Sequence, residues 1–90
     1  RGITIEVKNL VEIEEVLSAG GVDQIMLDNF ALALLREGVE MIGNRYKTEA
    51  SGGVSLESVR KIALTGVDFI SVGALTHSAG SLDLSLKIQG

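Results

Sequence analysis

The segment EASGGVSLESVRKIALTGVDFISVGALTHS, residues 49–78, contains two glycine-bearing strand ends that lie about one βα unit apart. The first is Glu49-Ala50-Ser51-Gly52-Gly53, and the second spans residues 71–78. Each follows a stretch with the pattern of a buried strand and precedes a helix or turn. Turns of this kind at the carboxyl ends of parallel strands present backbone N–H groups to anions. The segment therefore predicts a parallel α/β fold with an anion-binding edge.

The rest of the chain repeats the same alternation of strand and helix, which indicates an α/β protein built as a (βα) repeat of about four units. Closing a TIM barrel takes about eight strands and about 250 residues, so we expect roughly half of a TIM-like barrel, or a small open sheet, over residues 1–81. Residues 82–90 add a C-terminal strand. The predicted strands are 3–7, 24–29, 45–50, 67–72 and 82–88, and the predicted helices are 9–19, 31–42 and 56–64, followed by a turn or short helix over 75–81.

The composition excludes several classes of function. The 90 residues include no cysteine and one histidine, so neither a disulfide framework nor a zinc site is expected. The net charge of −4 argues against a nucleic-acid surface. No apolar run is long enough for a membrane span and no signal peptide is evident, so we expect a cytoplasmic or organelle-matrix protein. Because the chain opens on Arg1-Gly2 and is in a strand pattern by Ile3, we interpret it as part of something longer.

Polar residues and glycines cluster at the predicted carboxyl ends of the strands, where parallel barrels place their active sites. Two interpretations of them remain open. In one, the glycines admit a phosphate to backbone N–H groups and the carboxylates hold Mg²⁺ or a cationic reaction centre. In the other, the glycines are turn residues and the carboxylates are salt-bridge partners. Lacking a partner base, His77 is favoured as a turn residue or phosphate contact over a general base. The candidates are Glu6, Asp28, Ser51, Gly52, Gly73 and His77.

Six motifs together resemble one enzyme family, quinolinate phosphoribosyltransferase, also called nicotinate-nucleotide pyrophosphorylase (carboxylating). The resemblance covers nearly the whole chain, and EASGG and GALTHS are its most specific parts. The motifs are IEVKNL at 5–10, MLDN at 26–29, EASGG at 49–53, TGVD at 65–68, SVGALTHS at 71–78 and LDLSL at 82–86.

The resemblance implies a pentosyl (glycosyl) transferase of NAD biosynthesis. Its substrates are quinolinate and phosphoribosyl pyrophosphate, its products are nicotinate mononucleotide, pyrophosphate and CO₂, and its cofactor is Mg²⁺. It also implies an incomplete α/β barrel whose last strand returns to a separate N-terminal sandwich domain. Carried over to this sequence, Glu6 and Asp28 flank the ribosyl carbon and help to bind Mg²⁺. By the same resemblance, the 5′-phosphate is held by Ser51, Gly52, Gly73 and His77.

The chain departs from the family in its length and in its cationic residues. Family members are longer, and their quinolinate pocket is a cluster of Arg, Lys and His from segments that do not correspond to this sequence. We therefore expect a C-terminal portion of the enzyme that is inactive alone, with a last strand that lacks a sheet to join. The alternative is a non-catalytic half-barrel that keeps residual phosphate binding and self-associates as a homo-oligomer through exposed strand edges.

Overall fold

The structure is a computed structural model and describes residues 2–73 and 83–87. Strands and helices alternate along the chain until the last strand. The elements are β1 (Thr4–Val7), α1 (Leu10–Ala19), β2 (Gln24–Asp28), α2 (Leu32–Ile42), β3 (Lys47–Ser51), α3 (Leu56–Ala63), β4 (Phe69–Gly73) and β5 (Asp83–Lys87).

The strands form one sheet in chain order, β1-β2-β3-β4-β5. The first four are parallel, and each lies next to its neighbour in the sequence, as in a TIM barrel. This confirms the predicted α/β fold and its half-barrel arrangement. Strand β5 pairs antiparallel with β4, with Asp83 opposite Gly73 and Lys87 opposite Phe69. The backbone groups of the last strand therefore have a partner in this sheet, and its return to a sandwich domain, which the resemblance implies, stays a prediction.

The two faces of the sheet differ in chemistry because side chains alternate along each strand. One face is apolar and packs against the helices; its residues Val7, Ile25, Leu27 and Ile70 are almost fully buried. The packing is close enough that a Cβ at Gly38 of α2 would lie 2.9 Å from Leu27 Cδ2. The opposite face bears mostly polar side chains, namely Glu6, Gln24, Asp28, Glu49, Ser51 and Ser71. In a closed barrel that face lines the interior.

Two strands lie one to two residues further along the chain than predicted. Strand β3 begins at Lys47 rather than at residue 45, because the Arg45 N–H still donates to Ile42 O at the exit of α2. Strand β4 begins at Phe69 rather than at residue 67. Each strand also extends one residue further at its carboxyl end, so Ser51 and Gly73 are the last strand residues rather than the first turn residues.

The helix starts follow the predicted caps with one difference. Asn9 Oδ1 accepts from the backbone N–H of Glu12 at 2.9 Å, as expected for an N-cap. The Glu12 carboxylate, however, accepts from the backbone N–H of Lys8 at 2.6 Å and not from that of Asn9, the capping-box partner that its spacing suggests. Ser55 caps α3 as predicted, with Ser58 as its reciprocal partner. In the ranges 2–73 and 83–87, no helix is long and apolar enough to cross a membrane.

Candidate active site

Three charged side chains meet where β1 and β2 end. Glu6 lies on the polar face of β1, Asp28 is the last residue of β2, and Lys8 follows β1. Lys8 Nζ lies 2.8 Å from Asp28 Oδ2 and 3.2 Å from Glu6 Oε2. A single ammonium therefore contacts both of the carboxylates that the sequence predicts to be catalytic.

The third strand adds a hydroxyl to this cluster. Asp28 and Ser51 are opposite each other in the β2–β3 register, and Ser51 Oγ donates to Asp28 Oδ1 at 3.2 Å. Just beyond the strand ends, the Asn29 N–H donates to Ser51 O at 2.7 Å. Lys8 and Ser51 thus engage both oxygens of the Asp28 carboxylate, so the direction of that group is fixed.

Gly52 allows the backbone after β3 to approach Asp28. Its φ is +81°, and a Cβ at this position would lie 2.7 Å from Asp28 Oδ1 and 3.0 Å from Asn29 N. Only glycine avoids both the left-handed backbone strain and these two clashes. Asn29 also has a positive φ, 62°, a conformation that asparagine tolerates better than most residues. The turn is therefore built for close packing of backbone against the carboxylate.

The charges at this edge stabilise one another. Hydrogen bonding from Lys8 lowers the pKa of Asp28 below its usual range; the hydrogen bond from Ser51 acts in the same direction, and burial opposes them. Hydrogen bonding to Asp28, and then to Glu6, raises the pKa of Lys8. At neutral pH the cluster therefore contains the ionised Asp28 carboxylate and the protonated ammonium. Exposure of the side chains is 24% for Asp28, 50% for Glu6 and 63% for Lys8, so a ligand has access to all three.

The two carboxylates have the chemistry to hold Mg²⁺, which prefers hard oxygen ligands and is often bound by one or two carboxylates together with substrate phosphates. Within the described part of the chain, no group of three or more His, Asp or Glu side chains is arranged to hold a metal ion. Glu6 and Asp28 offer only two side chains as oxygen donors, so a metal bound to them would need its remaining ligands from substrate and water. The oxygens of both residues already contact Lys8.

A cavity of about 260 Å³ lies beside the turn after β3. Its lining includes Gly52, Gly53, Ser58 and Lys61. The cavity brings a cation of α3 to the glycine turn that the sequence predicts to bind phosphate. Neither Lys61 nor Ser58 was among the predicted site residues, because their spacing from the turn carries no motif.

A second polar cluster lies on the same face of the sheet. Glu49 is only 7% exposed, accepts from Gln24 Nε2 at 2.7 Å and also accepts from Ser71 Oγ. Three neighbouring strands contribute one residue each, so the carboxylate bridges the sheet. Its oxygens are directed to neighbouring side chains, which supports a structural role for Glu49.

The structure thus brings together four predicted site residues, Glu6, Asp28, Ser51 and Gly52. Gly73 ends β4 and pairs with Asp83, while His77 lies outside the described residues. Sequence reasoning missed Lys8, although a signal was present: a residue two positions after Glu6 on an extended chain points to the same face.

Comparison with known proteins gives a consistent result. The family model described as "Quinolinate phosphoribosyl transferase, C-terminal domain" matches residues 1–87. A mitochondrial quinolinate phosphoribosyltransferase [decarboxylating] 2a of Nicotiana tabacum is 46% identical over 98% of the chain. A probable nicotinate-nucleotide pyrophosphorylase [carboxylating] of Bacillus subtilis is 41% identical over 96% of it. The solved nicotinate-nucleotide pyrophosphorylase from Francisella tularensis superposes with a TM-score of 0.76, at 39% identity, over 99% of the chain.

The chain is much shorter than the proteins that it matches. It spans 29% of the length of the Nicotiana and Bacillus relatives and 32% of the Francisella chain.

Proposed function

The chain belongs to the quinolinate phosphoribosyltransferase family, whose C-terminal domain it matches over residues 1–87, and we propose that it carries the part of such an active site that binds the phosphoribosyl group. The reaction is the transfer of a phosphoribosyl group from phosphoribosyl pyrophosphate to quinolinate. Nicotinate mononucleotide, pyrophosphate and CO₂ are the products, and the step belongs to NAD biosynthesis.

One observation carries this proposal: Glu6 and Asp28 both face the same positive charge, the Lys8 ammonium, at 3.2 and 2.8 Å. Loss of pyrophosphate from the ribose leaves positive charge on the anomeric carbon. Carboxylates fixed in advance around a developing cation stabilise it without reorganising at the moment of reaction. We assign this role to Glu6 and Asp28, and the hydrogen bond from Ser51 keeps Asp28 in its orientation.

The phosphate end of the substrate is assigned to the turn after β3. The Ser51 hydroxyl donates its one proton to Asp28 Oδ1 in the structure and must leave that carboxylate to donate to a phosphate. Gly52 supplies backbone without a side chain of its own, and Lys61 supplies a positive charge beside the turn. Gly73 and His77 complete the proposed 5′-phosphate site, as the family resemblance implies. Backbone N–H groups together with a lysine are a common way to hold phosphate.

Mg²⁺ is part of the proposal, held by Glu6 and Asp28. When bound, it neutralises the negative charge of the departing pyrophosphate. The residues of the chain bind and orient the ribosyl group around it.

Quinolinate binding is the part of the reaction that this chain supports least. A dianion requires cationic partners with good geometry. Arg45 and Lys47 lie at the opposite end of the sheet from the site, where β3 begins. We therefore expect the chain alone to bind phosphoribosyl pyrophosphate without turning over quinolinate.

Calorimetric titration of phosphoribosyl pyrophosphate with Mg²⁺ into the purified chain tests the proposal. We expect binding that Gly52→Ala weakens at least tenfold and that Gly21→Ala leaves unchanged. Gly21 is a matched control because its φ is also +81° but nothing lies within 4 Å of an added Cβ. Absence of binding by the folded chain, or equal effects of the two substitutions, would contradict the assignment. Quinolinate-dependent release of pyrophosphate, measured on the same sample, would contradict the expectation of inactivity.

A second candidate function, self-association without catalysis, is favoured by the edge of β1. On its outer side β1 pairs with no strand of the described sheet, and Ile3 and Ile5 are 58% and 36% exposed. Unpaired apolar edges favour pairing with another chain. Light scattering distinguishes the two candidates: a homo-oligomer that binds no phosphoribosyl pyrophosphate supports self-association, and a monomer excludes it.

We propose no nucleic-acid or membrane partner for the chain, in keeping with its net charge of −4. A cytosolic or organelle-matrix location fits the relatives, which include proteins named as mitochondrial and chloroplastic.

A further inference from the structure

Lys8 is the one cation that contacts the two catalytic candidates among the residues described here. Its side chain is 63% exposed, yet its Nζ lies between Asp28 Oδ2 and Glu6 Oε2. Long exposed lysines ordinarily leave their ammonium in water, because an exposed ion pair gains little. Here two partners converge on the ammonium from two different strands.

We propose that the Lys8 ammonium occupies the cation position between Glu6 and Asp28, and that a divalent cation binds these carboxylates only by displacing it. The inference rests on the proposed function, since it describes how the same site controls the entry of its metal. Lys8 is a positioning residue in this scheme and takes no part in bond making.

The metal and the Lys8 ammonium compete for the same carboxylate oxygens. Three of the four oxygens of the pair are engaged: Glu6 Oε2 and Asp28 Oδ2 by Lys8, and Asp28 Oδ1 by Ser51. Mg²⁺ requires oxygen ligands at 2.0–2.1 Å and tolerates little distortion. It cannot bridge Glu6 Oε2 and Asp28 Oδ2 while the ammonium occupies the position between these two oxygens. The ammonium also reduces the charge of the pair from −2 to −1, which weakens the attraction for a divalent ion.

The backbone fixes the base of the lysine side chain at the site. The Lys8 N–H donates to Glu12 Oε1 at 2.6 Å, which joins the residue to the first turn of α1. Asn9, the next residue, is the N-cap of that helix. Lys8 therefore stays anchored beside the carboxylates, and only its flexible side chain moves when a metal enters.

Mn²⁺ is a suitable probe because the free ion is counted directly by electron paramagnetic resonance, without any enzymatic turnover. Titrations compare the unaltered chain with Lys8→Met, Lys8→Arg and Lys47→Met. Methionine keeps most of the length of the side chain and removes its charge, whereas arginine keeps the charge. Lys47→Met makes the same change in net charge at an exposed position at the start of β3, the opposite end of the sheet from the site.

We expect Lys8→Met to bind Mn²⁺ about five- to tenfold more tightly, the gain expected when one unit charge a few ångströms away is removed at an exposed site. Lys8→Arg and Lys47→Met should bind as the unaltered chain does. Unchanged or weaker binding by Lys8→Met, or an equal gain in Lys47→Met, would overturn the inference. Because Lys8 is exposed, all four proteins should fold, which a thermal melt verifies.

The double variant Lys8→Met/Asp28→Asn separates failure of this inference from failure of the proposed function. Loss of the gained Mn²⁺ affinity in the double variant supports both assignments. A gain that survives Asp28→Asn places the ion elsewhere and contradicts both. If Asp28→Asn alone weakens Mn²⁺ binding while Lys8→Met has no effect, the acidic pair stands and the role of Lys8 is wrong.

Discussion

Lys8 Nζ and Asp28 Oδ2 are 2.8 Å apart, although the two residues are separated by twenty positions in the sequence. The contact joins the segment after β1 to the last residue of β2. It also links the two carboxylates, because the same ammonium lies 3.2 Å from Glu6. The electrostatics of the site therefore depend on a residue outside the set of predicted site residues.

The first prediction concerns the pKa of Asp28. Lys8 holds this pKa below its ordinary value of 3.8, so Lys8→Met should raise it toward that value. Titration of the Asp28 carboxyl carbon by ¹³C NMR measures the change, with Lys47→Met as the control. An Asp28 pKa at or above 3.8 in the unaltered chain, or one that Lys8→Met leaves unmoved, would contradict the interpretation.

The same pair predicts how stability depends on pH. Because the pKa of Asp28 is lower in the folded state than in the unfolded state, its contribution to stability is present above about pH 4 and disappears as the pH falls through the folded pKa. The pKa of Lys8 is raised on folding, so its contribution is present below pH 10.5 and is lost as the pH rises through its folded pKa. Urea denaturation between pH 2 and 6 should show a steeper loss of stability on acidification for the unaltered chain than for Lys8→Met. Parallel curves for the two proteins would argue against the pair.

The second prediction separates backbone strain from collision at the turn after β3. Gly21→Ala introduces an alanine at φ +81° in open space and should cost about 1 kcal/mol. Gly52→Ala has the same φ but also places a Cβ 2.7 Å from Asp28 Oδ1, so we expect a cost of about 2–4 kcal/mol. The free energies of unfolding from urea titrations test this. Equal costs would show that the turn relaxes away from Asp28 at little expense.

The third prediction concerns Glu49, which is 7% exposed and joins Gln24 to Ser71 across the sheet. Glu49→Ala leaves two polar groups without their partner and should destabilise the chain by about 2–3 kcal/mol. Glu49→Gln, which can still accept one hydrogen bond, should cost less than Glu49→Ala. Glu37→Ala, on the exposed side of α2, is the control and should change the free energy of unfolding by less than about 0.5 kcal/mol. A cost for Glu49→Ala as small as that of the control would show that the bridge contributes nothing.

The local features of the fold were predictable because each depends on residues close in sequence. Ser55 caps α3, and the apolar run before Asp28 and the run of polar and buried residues before Ser51 form strands, because hydrogen bonding within a turn and the alternation of side chains decide these features. The contact of Lys8 with Asp28 was not predictable in the same way. It depends on the register between β1 and β2, which places side chains twenty residues apart within reach. The pairing of β5 with β4 depends on a long-range choice of partner that no local pattern encodes.

The final prediction concerns Asp68, which connects the starts of β3 and β4. Asp68 Oδ2 accepts from the Thr48 N–H at 2.9 Å and from Thr48 Oγ1 at 3.2 Å, and Thr48 is only 2% exposed. Asp68→Ala removes a charged acceptor from a buried N–H and should cost about 1.5–3 kcal/mol. Asp23→Ala is the matched control, because Asp23 Oδ2 likewise accepts a backbone N–H, that of Ile3 at 2.7 Å, but at an exposed position. We expect the control to cost less than about 1 kcal/mol, since water can replace the lost acceptor there. Amide hydrogen exchange locates the effect: Thr48 should lose protection selectively in Asp68→Ala, and uniform loss across the sheet would instead indicate a global change in stability.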